Sequence, residues 1–235
     1  MTRTALLSDE NLYSARAQVL NQFVALGLIV ALIATLWINI GFPPTVIVGG
    51  SAIAGFFCWR ATNLRRAIAP QTVTILFLLT VAALQVHMFE EHACLFGPAM
   101  SRLFAIAFPD ERFLTIFVFV GPTIYYLTAI GLLLRIPFAA FIAWFIFIGP
   151  GIAEFTHFIF PLIKPAIEPA NPASVTATLN GEVLRDLPNH YFFLTGRYYF
   201  PGLYTAILPM IPGVWSVAWL LRQRFAQRVP APTPT

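Results

Sequence analysis

Two short patterns of ionisable residues stand where an apolar chain has no reason to keep them for solubility. His87-Met88-Phe89-Glu90-Glu91 closes a run that carries no formal charge from Ala67 through Phe89, and Glu154-Phe155-Thr156-His157 interrupts a second apolar run. A charged side chain at bilayer depth costs about 2.5–3.5 kcal/mol on insertion scales, so such residues mark a site rather than a scaffold. At about 100° per residue, Glu90 and Glu91 flank His87 on one helical face, and Glu154 and His157 share another. His92 falls about 140° from His87 and is set aside. Three carboxylates and two imidazoles in a low dielectric need either a cation or raised carboxylate pKa values. The cation reading makes His87, Glu91, Glu154 and His157 ligands of one divalent metal, zinc or iron, with Glu90, Glu91 and Glu154 supplying the catalytic carboxylates. The metal-free reading is acid/base chemistry between carboxylates of split pKa. A third is a proton or ion relay in a transporter.

The elements that must carry these residues are membrane helices. The chain is 58% hydrophobic and 10% charged, against about a quarter charged in soluble domains. The class predicted is all-α, a polytopic transmembrane bundle whose partner is the lipid bilayer. Its Lys and Arg residues sit singly between apolar runs, which excludes a nucleic-acid footprint. Cys58 and Cys94 lie in different apolar segments and predict no disulfide framework. The first apolar run is too long for the core of a cleavable signal.

In chain order, 1–16 is a polar amino-terminal segment, 17–222 the transmembrane domain, and 223–235 a basic, then Pro/Thr-rich tail expected to be disordered. Spans are expected at 18–41, 44–60, 71–96, 112–134, 136–163 and about 199–222, about six in all. The fourth should kink at Gly121-Pro122, the fifth should break at Gly149-Pro150-Gly151, and Pro201, Pro209 and Pro212 punctuate the sixth. Residues 98–111 suit an interfacial segment, and 164–198 an extramembrane loop in which His190 is exposed or interfacial. With six spans, Arg3, Arg16, Arg60, Arg65, Arg66, Arg135, Arg222, Arg224 and Arg228 share the side of both termini. Arg102, Arg112, Lys164, Arg185 and Arg197 face the other way, so the termini are expected in the cytoplasm, with the protein in the cell (inner) membrane. The same topology brings His87 and Glu90, Glu154 and His157, and the stretch from Arg197 to Gly202 to one layer in the outer half of the bilayer.

His87-x-x-Glu90-Glu91, His157 and Tyr199-Phe200-Pro201-Gly202, in that order, resemble the HxxEE signature, the additional histidine and the YxPG motif of the HXXEE-domain membrane proteins. The similarity covers roughly 71–222. It implies a polytopic domain and supports this choice of residues, but that family brings no assigned reaction. A looser similarity of residue kinds links the site to sterol isomerases of the emopamil-binding type. The intramembrane CAAX-type proteases also begin with paired glutamates, but Leu95 stands where their arginine follows.

The expectation is an integral-membrane enzyme acting on an apolar or amphiphilic small molecule, with hydrolysis by metal-activated water first and acid/base isomerisation second. Tyr199, Pro201, Gly202 and Arg197 would shape the substrate mouth, and a homo-oligomer is compatible with the chain. Four histidines are too few for the histidine-rich di-iron membrane hydroxylases. A transporter would need a polar path to the cytoplasmic face, and the third and fifth spans offer almost none. A purely structural membrane partner would tolerate Glu90→Gln and Glu154→Gln.

Overall fold

The computed structural model describes residues 8–226. Arg3, Arg228, and the expectations for residues 1–7 and for the tail from 227 onward lie outside the described residues. A short helix, α1 (Asp9–Leu12), leads into α2 (Ala15–Asn39), which starts where the Ser14 hydroxyl accepts from the Ala17 N–H at 3.3 Å. The helices α3 (Phe42–Ala61), α4 (Pro70–Ala93) and α8 (Pro137–Ile152) each open on proline in the first turn, where its missing N–H costs no hydrogen bond. Between α4 and α8 lie α5 (Phe96–Phe104), α6 (Asp110–Leu114), a wide π turn at Thr115–Val120, and α7 (Gly121–Leu133). The expected kink at Gly121-Pro122 takes the form of that π turn.

Among the described residues, five helical stretches are long and apolar enough to cross a membrane: Ala15–Asn39, Phe42–Ala61, Pro70–Ala93, Asp110–Leu133 and Pro137–Leu162. Their outer faces carry large exposed apolar side chains such as Phe23, Ile38, Phe89 and Leu127, a surface suited to contact with lipid. The sixth long helix, α10 (Ile207–Ala226), has 20 residues and packs between α4 and α8. Prolines at its start and Arg222 and Arg224 at its end make it less apolar than the other five. It also begins later than expected, because residues 199–206 form turns rather than helix, and it runs past the expected boundary at 222.

The centre of the bundle is α8. It packs on α3, α7, α10, α4 and α2, and is buried on most of its faces. It passes α10 at Gly151 and Gly213, where a Cβ built on Gly151 would stand 2.7 Å from the Gly213 Cα. Only glycine on both helices allows that approach. The expected break at Gly149-Pro150-Gly151 arrives slightly later. The helix carries Pro150 through to Ile152 and then tightens into a 3-10 turn over Ala153–Phe158. Residues three apart eclipse in such a turn, so Glu154 and His157 emerge on the same side.

One end of the bundle is capped. Residues 98–111 are folded into the protein, with α5 buried from Gly97 to Leu103 beneath the 164–190 loop. That loop contains one piece of sheet, an antiparallel hairpin of β1 (Val175–Leu179) and β2 (Glu182–Leu187). Arg102 of α5 holds the cap together. Its side chain is fully buried, and it donates to the carbonyls of Ile167, Glu168, Asn171, Ala173 and Leu187 at 2.6–3.3 Å. At the opposite end, Tyr13 donates to the Arg135 carbonyl at 2.7 Å and Arg135 pairs with Asp9 at 2.6 Å, joining the amino-terminal turn to the α7–α8 connection.

Candidate metal centre

Four side chains from the two predicted patterns meet at one point. His87 and Glu91 lie one turn apart on α4, and Glu154 and His157 face them from the 3-10 turn. His87 Nε2 is 3.1 Å from Glu154 Oε2 and 3.6 Å from Glu91 Oε1, while His157 Nε2 is 3.0 Å from Glu154 Oε2 and 3.2 Å from Glu91 Oε1. One ligand atom from each of the four lies within 4.8 Å of all the others, so the group could hold a metal ion. Bonds of about 2.0–2.1 Å to a tetrahedral ion would separate the ligand atoms by about 3.3–3.4 Å, and the four nitrogen–oxygen edges bracket that value.

The chemistry of the donors fits as well as their spacing. His157 Nδ1 is 2.8 Å from the Pro201 carbonyl oxygen. A carbonyl can only accept, so Nδ1 carries a proton, and a neutral ring then turns an Nε2 lone pair toward two carboxylates. Acceptors facing acceptors need a positive centre between them, a proton or a cation. Two neutral imidazoles and two carboxylates around a divalent ion sum to zero charge, the state a low-dielectric interior favours.

Burial separates the roles. Three of the four side chains are closed off, at 0% exposed for His87 and 3% for Glu91 and His157, whereas Glu154 is 14% exposed. Glu154 Oε2 faces both histidines, and its other oxygen takes no hydrogen bond among the described residues. Phe96 and Phe160 lie against the His157 ring at 5.4 and 5.6 Å and exclude water from that side.

Glu90 is not a member of this group. Its Oε1 accepts from the Tyr199 hydroxyl at 3.1 Å and the Tyr204 N–H at 3.4 Å, and its Oε2 accepts from the Thr205 N–H at 2.8 Å and the Thr205 hydroxyl at 2.6 Å. Helical phase puts both glutamates beside His87, and the 199–205 turn draws Glu90 away. The predicted mouth residues take unequal places. Tyr199 and Pro201 bond Glu90 and His157. Gly202 has φ +90°, and a Cβ on it would stand 2.7 Å from His87 Cε1, 2.7 Å from His157 Cε1 and 2.9 Å from Glu91 Cγ. The chain therefore closes this face of the cluster with bare backbone, and Pro201 and Gly202 wall the centre in. Arg197 stays outside, stacked over the Tyr199 ring at 4.8 Å.

Thr205 was not among the predicted residues, yet its hydroxyl lies 3.1 Å from His87 Nδ1. No local signal marks it, since a threonine near an apolar helix ordinarily bonds its own backbone, as Thr74 and Thr80 do at 2.8 Å. His92 pairs with Asp110 at 3.1 Å, away from the cluster and 42% exposed. His190 is half-buried in the cap, with Nε2 lacking a partner among the described residues. Burial, then the cations Arg197 and Arg102, push its pKa down to about 4.

Comparison with protein-family models, with curated proteins and with solved structures finds no match.

Proposed function

We propose that this chain is an integral-membrane enzyme in which His87, Glu91, Glu154 and His157 hold one divalent ion, zinc first and iron second, and which hydrolyses an apolar or amphiphilic small molecule. The observation that carries the proposal is the set of nitrogen–oxygen edges at 3.0–3.6 Å, buried within membrane-length helices. A bound ion of this kind supplies Lewis acidity and a water acidic enough to ionise near neutral pH. The protein's own groups divide the remaining work. Glu91 and the two histidines are buried and serve as fixed ligands. Glu154 would bind through Oε2, and its other oxygen, on an accessible side chain and without a hydrogen-bond partner, is the one placed to take a proton from an incoming water and return it to a leaving group. Glu90, saturated by hydrogen bonds, positions rather than reacts.

A substrate must arrive beside Glu154. Phe155 and Ile159, its neighbours in the same segment, are exposed apolar residues, so entry from the bilayer side suits a lipid-like molecule better than a soluble one. Placement in the cell membrane with cytoplasmic termini belongs to this proposal and rests on the arginine distribution. So does membership of the HXXEE-domain family, supported by the convergence of His87, Glu91, His157 and the Tyr199–Gly202 motif on one centre.

A metal-free acid/base isomerase is the second reading, favoured by one observation. The contacts at 3.0–3.2 Å are also hydrogen-bond lengths, so protons could take the place of the ion. Elemental analysis of purified protein separates the two. The proposal expects about one metal per chain, lost in both His87→Ala and His157→Ala; wild-type protein without metal would overturn it in favour of proton transfer. A transporter gains no support, because α8 offers no polar side chain below the cluster beyond Trp144, whose N–H is bound to Asn63 at 3.0 Å.

A further inference from the structure

We infer that the turn from Tyr199 to Thr205, clamped by Glu90, is a template that fixes the tautomer of both cluster histidines. Both Nδ1 atoms are held by this one short segment: His157 by the Pro201 carbonyl at 2.8 Å and His87 by the Thr205 hydroxyl at 3.1 Å. The direction of the second bond follows from the first partner of Thr205. Its hydroxyl hydrogen goes to Glu90 Oε2 at 2.6 Å, and an ionised carboxylate can only accept. The hydroxyl then has only lone pairs left for His87, so Nδ1 is the donor, and in the neutral ring Nε2 is free of a proton. Glu90 therefore sets the protonation pattern of a ring it does not touch.

The same carboxylate keeps the turn in place through the Tyr199 hydroxyl and the N–H groups of Tyr204 and Thr205. Gly202 lies between the two anchor points and packs its backbone on both Cε1 atoms. Hydrogen bonds to the far nitrogen of a ligand histidine commonly change metal affinity 10–100-fold. Glu90 and Thr205 are positioning residues for the proposed centre, and the affinity half of this inference rests on the metal reading. The tautomer half does not.

Two variants test it. Thr205→Val removes the hydroxyl at nearly constant volume. Glu90→Ala removes the acceptor of the Thr205 hydroxyl, which frees that hydroxyl to donate to His87 and moves the ring proton to Nε2. Histidine-¹⁵N NMR on chelator-treated, detergent-solubilised protein reads the tautomers, and competition with a zinc chelator reads affinity. The inference expects Nδ1 protons on His87 and His157 in the wild type, a changed His87 tautomer with zinc affinity about 10–100-fold weaker in both variants, an unchanged His157, and recovery in Thr205→Ser. An unchanged His87 tautomer in Thr205→Val and Glu90→Ala would overturn it, as would zinc affinity unchanged in both variants where the wild type binds zinc. A wild type that binds no zinc, yet carries both Nδ1 protons, supports the template and counts against the metal reading alone.

Discussion

Glu91 Oε1 lies 3.2 Å from His157 Nε2, and that contact joins α4 to the 3-10 turn that continues α8. Both side chains are buried and more than sixty residues apart in sequence, so neither can be ionised at this depth without the other or a shared cation. A protein assembled this way should depend on what lies between the two groups. Chelator treatment should lower the melting temperature of the detergent-solubilised wild type, since an ion at 100 times its Kd contributes about 2.7 kcal/mol. In Glu91→Gln the chelator should produce no further shift. Differential scanning fluorimetry with and without chelator makes the comparison.

Gly202 offers a sharper structural test. Gly202→Ala drives a Cβ within 3 Å of His87, His157 and Glu91 at φ +90°, so it should abolish metal retention and lower the melting temperature. Gly181→Ala is the control, because Gly181 has φ +81° with no atom within 4 Å of the added carbon. That variant should cost only about 1 kcal/mol and keep its metal.

Arg102 spends its guanidinium on five carbonyls of the cap. Arg102→Met leaves those acceptors buried and unmet, at a cost expected to exceed about 3 kcal/mol. Limited proteolysis should then cut within 164–190 at protease levels that leave the wild type intact. Arg102→Lys, with fewer donors and no fork, should restore little of that protection.

His190 predicts a pH dependence of the cap. Its pKa lies near 4 in the folded protein, below the usual histidine value of about 6.5. Between those values the unfolded chain binds more protons, so stability falls as pH drops from about 6.5 toward 4 and levels off below. His190→Phe should flatten that part of the curve. Melting temperatures measured from pH 7.5 to 4 would show it.

The cluster was legible in the sequence because charge in an apolar run is costly enough to be informative. His87 with Glu91, and Glu154 with His157, needed only helical spacing and a depth estimate to be paired. The exclusion of Glu90 was not legible, since phase places it as close to His87 as Glu91 and only the 199–205 turn distinguishes them. Thr205 and Arg102 escaped for a related reason. Their partners are a single carboxylate and a set of backbone carbonyls, and carbonyls leave no trace in residue identity. The hairpin did leave a trace, an Asn180-Gly181 pair with both residues in the left-handed region between two short strands, which is a strong turn signal. The prolines that crowd the surrounding loop mask that signal. The late start of α10 follows from Pro201 and Gly202, whose turn has to be completed before a helix can begin.

X-ray absorption at the edge of the metal that copurifies with the wild type tests the centre most directly. The account predicts a first shell of about four nitrogen and oxygen atoms near 2.0–2.1 Å, two of them with imidazole outer-shell scattering, and no bound metal in His157→Ala. A shell of water oxygens without imidazole scattering, or a wild-type spectrum unchanged by His157→Ala, would contradict it.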